Sequence, residues 1–190
     1  YDVVVSRGPE YSIDRQTLDV YAGNTTPLYA EIARVVDTTG WISGDFHQHM
    51  EGSADSGLPY EDRVLTNLSE QVEYVVTSDH DFNANLTPVI EEMGATEFVK
   101  ATVGDELTTI EQGHFNGWPL VFDPSLPENG APEWQLPSVE EPELPHSTPE
   151  EVFDSLRAAG VYGEDLTVTQ ANHPRDGILG YFYQYLIDIE

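Results

Sequence analysis

The rhythm of apolar and polar positions changes once along the chain. Residues 1–40 carry short alternating apolar runs, such as TLDVYAG and LYAEIARVV, interrupted by RGPE and GNTT. Alternation of this kind predicts strands joined by turns. From Gly40 the pattern becomes short apolar runs separated by helical stretches: WISGDF, a stretch over 60–71, EYVVTS, a stretch over 84–93, and EFVKATV. That rhythm predicts β-α-β units and a parallel sheet. The expected organisation is a β-rich segment over 1–40 followed by an α/β domain over 41–190.

Between Pro119 and Pro149 the chain holds eight prolines and many acids, so residues 121–147 read as an irregular, acidic, proline-rich insertion. The insertion ends at a helix start. Thr148 can serve as N-cap, Pro149 fills the first turn, Glu151 completes a capping box and Gly160 closes the helix, which is expected over 149–159. LTVTQA follows as a strand, and GILGYFYQYLIDIE is a last apolar stretch. No internal repeat is present.

With 190 residues the chain suits one domain, and it carries 35 acidic against 7 basic residues for a net charge of −28. Such a surface repels phosphate backbones and anionic lipid, so nucleic acid and membrane surfaces are not expected partners. Disorder is excluded by 39% hydrophobic and 11% aromatic residues. No apolar run approaches the roughly 20 residues of a membrane span. The acid excess, with Lys100 as the only lysine, is what proteins of saline environments carry. Sequons at Asn24, Asn67 and Asn85 point to an extracellular or periplasmic location. Without cysteine, imidazoles and carboxylates are the only strong metal ligands available.

Five of the six histidines fall at or just beyond the downstream edge of apolar runs: His47, His49, His80, His114 and His173. In parallel β/α folds the carboxyl ends of strands form the active face, so these stretches should converge there. Asp45, His47 and His49 share strand parity, and two imidazoles about 7 Å apart on one face can chelate one ion. TSDHD adds Asp79, His80 and Asp81, and GDELTT adds Asp105 and Glu106. Taken singly, each also reads as an ordinary acidic loop. Glu106 can bridge two ions, as hydrolytic sites with ions about 3.5–4 Å apart require. His114 is expected to end a turn that begins with Gly113. Beside His173, Arg175 is placed to clamp an oxyanion, with a surface ion pair as the plainer reading. His146 lies within the insertion and reads as solvated. No G-x-S-x-G and no phosphate-cradling glycine loop occur.

In order, GDFHQHM, VTSDHD, GDELTT, GHFNGWPL and NHPR resemble the successive motifs of the PHP (polymerase and histidinol phosphatase) superfamily of metal-dependent hydrolases. RVVDTTGWISGDFHQH and GHFNGWPL are most similar to its CehA/McbA branch, the carbaryl-hydrolase type. The resemblance covers residues 33–190. It implies an α/β fold, part of a distorted (β/α)7 barrel, and two or three divalent ions (Zn, Mn or Fe) that activate water against a small-molecule phosphoester or a carboxylic or carbamate ester. It carries the metal-ligand role to His47, His49, His80, Glu106, His114 and His173, with Asp55 a ligand in only some members. Glu106, Asp79 and Arg175 are the expected catalytic residues, Asp45 and Asp79 orienting imidazoles. The late D-x-H motif of the family has no counterpart after His173, and so few strands cannot close a barrel. The domain is therefore expected to be C-terminally incomplete, with 178–190 covered by a further polypeptide segment or a neighbouring subunit. A non-catalytic extracellular structural or assembly module on the same fold is the alternative. Residues 121–147 are expected to cross the active face as a lid, with Trp134 either touching substrate or a neighbouring chain or anchoring in the core.

Overall fold

The structure, a computed structural model, describes residues 1–109, 112–134 and 147–185. Strands β1 (Asp2–Val5) and β2 (Asp14–Thr17) form an antiparallel hairpin with Val5 opposite Asp14. The alternating runs over 18–36 do not become strands; apart from an isolated bridge between Tyr11 and Arg34 they are irregular. Their apolar side chains explain why. Val20, Tyr29 and Val35 are exposed, and alternation favours a strand only where one face is buried. An ion pair from Arg34 to Glu10 fastens this segment to the hairpin.

The β-α-β rhythm is present as read from 41 onwards. Strand β3 (Gly44–Gln48), helix α1 (Tyr60–Ser69), strand β4 (Tyr74–Thr77), helix α2 (Thr87–Glu92) and strand β5 (Lys100–Thr102) follow one another. The strands pair in parallel in the order β3-β4-β5. Val64 of α1 and Ile90 of α2 bury against Val75, Met50 and Leu86 to make the first core.

The second half departs from the expected parallel sheet. Strands β6 (Asp105–Thr109), β7 (Gly113–Trp118) and β8 (Val168–Ala171) pair antiparallel in the order β6-β7-β8. Residues 110–112 alone connect β6 to β7, far fewer than the dozen or so that a parallel crossover needs. Gly113 opens β7 at φ +92°, a conformation L side chains rarely adopt. His114 therefore lies within a strand rather than in a turn, and GDELTT is a strand rather than the loop after one. A parallel bridge between His80 and Glu106 joins the two sheets. The protein is thus a mixed α/β fold in which the described strands form no closed barrel.

Helix α3 (Pro149–Ala158) begins as the sequence predicts. Thr148 accepts from the Glu151 N–H, and the Glu151 side chain accepts from the Thr148 N–H, a complete capping box. The helix lies close on β7, because a Cβ at Gly117 would sit 2.7 Å from Leu156 Cδ2. Leu107, Phe115, Leu120, Val152 and Leu156 form this second core, with Trp134 and Tyr181 packed against it. Tyr181 belongs to the single-turn helix α4 (Tyr181–Gln184), its ring 5.5 Å from Phe115. Ile178 and Tyr183 nearby are exposed, while 186–190 lie outside the described residues. So do 135–146, and with them His146. No helix among the described residues is long and apolar enough to cross a membrane.

Candidate metal centre

Glu106 is the centre of the site. It sits in β6 next to the bridge with His80, fully buried. His47 and His49 arrive from the end of β3, His80 from the turn after β4, His114 from β7 and His173 from the turn after β8. Their rings form a closed circuit around it. Successive centroids are 5.0 Å apart for His47 and His49, 4.5 Å for His49 and His80, and 5.4 Å for His80 and His114. The circuit closes through His114 and His173 at 4.8 Å and His173 and His47 at 6.2 Å. All five predicted imidazoles converge on the predicted glutamate.

The two carboxylate oxygens divide the rings. Oε2 lies 3.2 Å from His47 Nε2, 3.1 Å from His49 Nε2 and 3.2 Å from His80 Nδ1. Oε1 lies 3.3 Å from His114 Nδ1 and 3.5 Å from His173 Nε2. Burial pushes the Glu106 carboxyl up, yet His114, His47 and His49 outweigh burial and hold it far below the ordinary carboxylate range. His80 is held below the usual imidazole value, chiefly by burial. For His49 burial acts the same way, but Glu106 and Asp55 reverse it and raise the ring.

Neighbouring hydroxyls assign the tautomers. Thr108 Oγ1 donates to the Glu106 carbonyl, so it accepts from His80 Nδ1 at 2.6 Å. That leaves His80 Nε2 facing Asp55 Oδ2 at 3.4 Å. Ser53 Oγ donates to Asp55 Oδ1, so it accepts from His49 Nδ1 at 3.1 Å and leaves His49 Nε2 facing Glu106. Facing acceptors need a cation between them, a proton or a metal ion. Although three ring nitrogens surround it, Oε2 meets none at a hydrogen-bonding angle and is a buried oxygen without a donor among the described residues. Ligand atoms bound at about 2.0–2.1 Å to one tetrahedral ion lie about 3.3 Å apart, which matches these separations. Three donor groups are close enough to hold an ion: His47, His49 and Glu106; His80, Glu106 and His114; and His49, Asp55 and His80. The residues fit divalent metal ions.

Other expected residues stand elsewhere. Asp45 and Asp79 do not orient imidazoles: Asp45 Oδ1 accepts from the His47 backbone N–H at 3.0 Å, and Asp79 Oδ1 from that of Met50 at 2.5 Å. They hold the backbone of the H-x-H segment, a role the alternation of strand side chains does not reveal. Burial pushes the Asp79 carboxyl up to about 6. Asp105 is fully buried, and burial followed by the charge of Asp81 raises it well above the usual range against the opposing Phe82 N–H. It belongs to none of the three donor groups. Asp55 is on the open side, its side chain 58% exposed. Arg175 is exposed and makes neither a contact with the imidazoles nor an ion pair among the described residues. Asn67 is buried in a reciprocal amide pair with Gln48, at 2.9 and 3.0 Å, so that sequon is closed to modification in the folded chain.

Four supporting residues carry no mark in the sequence. Ser53 and Thr108 fix tautomers, Arg63 of α1 donates to the His49 carbonyl at 2.6 Å, and Asn172 donates to Glu106 Oε1 at 2.8 Å. Thr108, within GDELTT, and Asn172, within NHPR, lie in motifs that the sequence singled out, but nothing there marks either as a supporting group. The fold and site together define a mixed α/β protein with a buried glutamate ringed by five histidines. No family model, no curated protein and no solved structure matches the chain.

Proposed function

We propose that the chain is a metal-dependent hydrolase of the PHP type, similar to its CehA/McbA branch, acting on a small-molecule phosphoester or a carboxylic or carbamate ester. His47, His49, His80, Glu106, His114 and His173 would hold two or three ions, zinc, manganese or iron, with Asp55 on the open side. Such ions supply activated water and neutralise charge developing at a phosphorus or carbonyl centre. The observation that carries this reading is Glu106 Oε2, buried and, among the described residues, without a hydrogen-bond donor amid three ring nitrogens.

The protein's own part is arrangement. Glu106 stays ionised, Ser53 keeps the His49 lone pair turned to Glu106, Thr108 keeps that of His80 turned to Asp55, and Asp45 and Asp79 hold the backbone that carries His47 and His49. Arg175, on the turn after His173 and free of described carboxylate partners, is the cation available to a substrate oxyanion. The exposed apolar side chains of Ile178 and Tyr183 support cover from a further segment or subunit. Exposed Asn24 supports an extracellular or periplasmic location.

The test is hydrolysis of p-nitrophenyl phosphate, p-nitrophenyl acetate and an aryl methylcarbamate by metal-stripped protein, before and after adding Zn, Mn or Fe(II). Ion-dependent turnover lost in E106A and H47A supports the reading. Ion binding without turnover of any of the three supports the non-catalytic module instead, and no ion binding overturns the hydrolase reading.

A further inference from the structure

Asn172 is the end of β8's run into the site and is 1% exposed. Its amide spends both donors: one on Glu106 Oε1 at 2.8 Å and one on Asn116 Oδ1 at 2.6 Å. Its own oxygen accepts from Gln170 Nε2 at 2.9 Å. Asn116, fully buried in β7, donates in turn to the Phe46 carbonyl at 2.7 Å, one residue before His47. A single buried line of amides thus joins β8, β7 and β3 and ends on the glutamate. A buried network satisfied in this way fixes orientation rather than merely tolerating it.

The consequence is an asymmetry in Glu106. A donor fixed on Oε1 sets the plane of the carboxylate, whose terminal torsion is otherwise broad. Oε2 keeps every lone pair for the side of His47 and His49, while Oε1 keeps what Asn172 leaves for His114 and His173. We propose that Asn172 is the positioning residue that holds Glu106 across two unequal ion positions, the one on Oε2 filling first and the one on Oε1 depending on Asn172. This rests on the metal-centre reading above. Without the amide, the carboxylate turns towards the His47 and His49 side and no longer spans both positions.

The experiment titrates metal-free protein with Zn by calorimetry and counts bound ions after gel filtration. Wild type is expected to take up two ions in two steps. Asn172→Ala should weaken the second step by about 10–100-fold, the range seen when partners of metal ligands are removed, and change the first by less than about threefold. Asn172→Asp keeps the shape but replaces the donor with an acceptor, and should also lose the second step; it is read if the alanine variant does not fold, with near-ultraviolet circular dichroism of the metal-free proteins as the check. Thr148→Ala, at the N-cap of α3 and outside the amide line, should retain both steps. In the Mn-loaded proteins, paramagnetic resonance should show a coupled ion pair in wild type and isolated Mn in the Asn172 variants. Two unchanged steps in a folded Asn172 variant, or equal loss of both, overturns this inference and leaves the metal centre standing. A wild type that binds no ion overturns the metal centre itself.

Discussion

The indole N–H of Trp134 donates to Asp81 Oδ1 at 3.0 Å, so the proline-rich insertion is fastened to the turn that carries His80. The same oxygen accepts from the Thr108 N–H at 2.9 Å, and Thr108 sets the His80 tautomer. Asn83 adds three bonds to the insertion, with Val121, Glu128 and Asn129. The described first half is an anchored flank beside the site, and Trp134 anchors on the second core rather than standing free. Trp134→Phe keeps much of the packing and loses the donor. It is expected to cost about 1 kcal/mol in urea unfolding of the metal-free protein, and Trp134→Ala about 3 kcal/mol. Equal stability of Trp134→Phe and wild type would show that the indole bond contributes nothing.

The capping box at Thr148 gives a second expectation. Thr148 and Glu151 bond each other's backbone N–H, at 3.3 and 2.7 Å, and Pro149 occupies the first turn. Thr148→Ala should cost about 1 kcal/mol. Glu151→Ala should cost a similar amount, and the double variant less than the sum, because each side chain acts through one shared motif. Strict additivity in denaturant melts would mean that the two bonds form independently.

Side-chain chemistry and turn chemistry are legible in the amino-acid sequence. His47, His49, His80, Glu106, His114 and His173 stand out because only imidazoles and carboxylates can bind metal here and each follows an apolar run. Thr148, Pro149 and Glu151 mark a helix start by local rules alone. Pairing direction is not legible. Apolar runs over 105–118 look alike in parallel and antiparallel sheets, and the short 110–112 connection decides between them. Nor is the direction in which a polar group bonds: Asp45 and Asp79 serve backbone N–H groups, and Asn67, a sequon by pattern, is closed by burial. Amide networks such as Gln170, Asn172 and Asn116 have no sequence signature, since their partners are set by sheet register.

Gly117 tests the packing of α3 on β7. An added methyl would meet Leu156 Cδ2 at 2.7 Å and Cβ at 3.1 Å, both on a fully buried side chain. Gly117→Ala is therefore expected to destabilise by about 1–3 kcal/mol despite the better strand propensity of alanine. Combining it with Leu156→Ala should recover part of that loss, because the shortened side chain vacates the space. If the double variant is as unstable as the sum of the single ones, the contact between Gly117 and Leu156 is not what limits the helix.

Asp79 links stability to pH in the metal-free protein. Its carboxyl is fully buried; Oδ1 accepts from Met50, while Oδ2 has no partner among the described residues. Burial raises it to about 6, opposed by the Met50 N–H and by the charges of His49 and Arg63, with Asp55 acting in the same sense as burial. The unfolded chain titrates near the ordinary value of about 3.9. Between these values the folded state binds more protons than the unfolded state, so stability falls as pH rises through this window. Above about pH 6 the cost is complete, about 2–3 kcal/mol at most. Asp79→Asn keeps an acceptor for the Met50 N–H and carries no charge. Relative to wild type it should gain stability between about pH 4 and 7, whatever constant offset its unpartnered amide adds. Urea melts of both metal-free proteins at pH 4.5, 5.5 and 7 measure the difference. A stability difference that stays constant over that range would mean that Asp79 is ionised throughout and that burial does not control it.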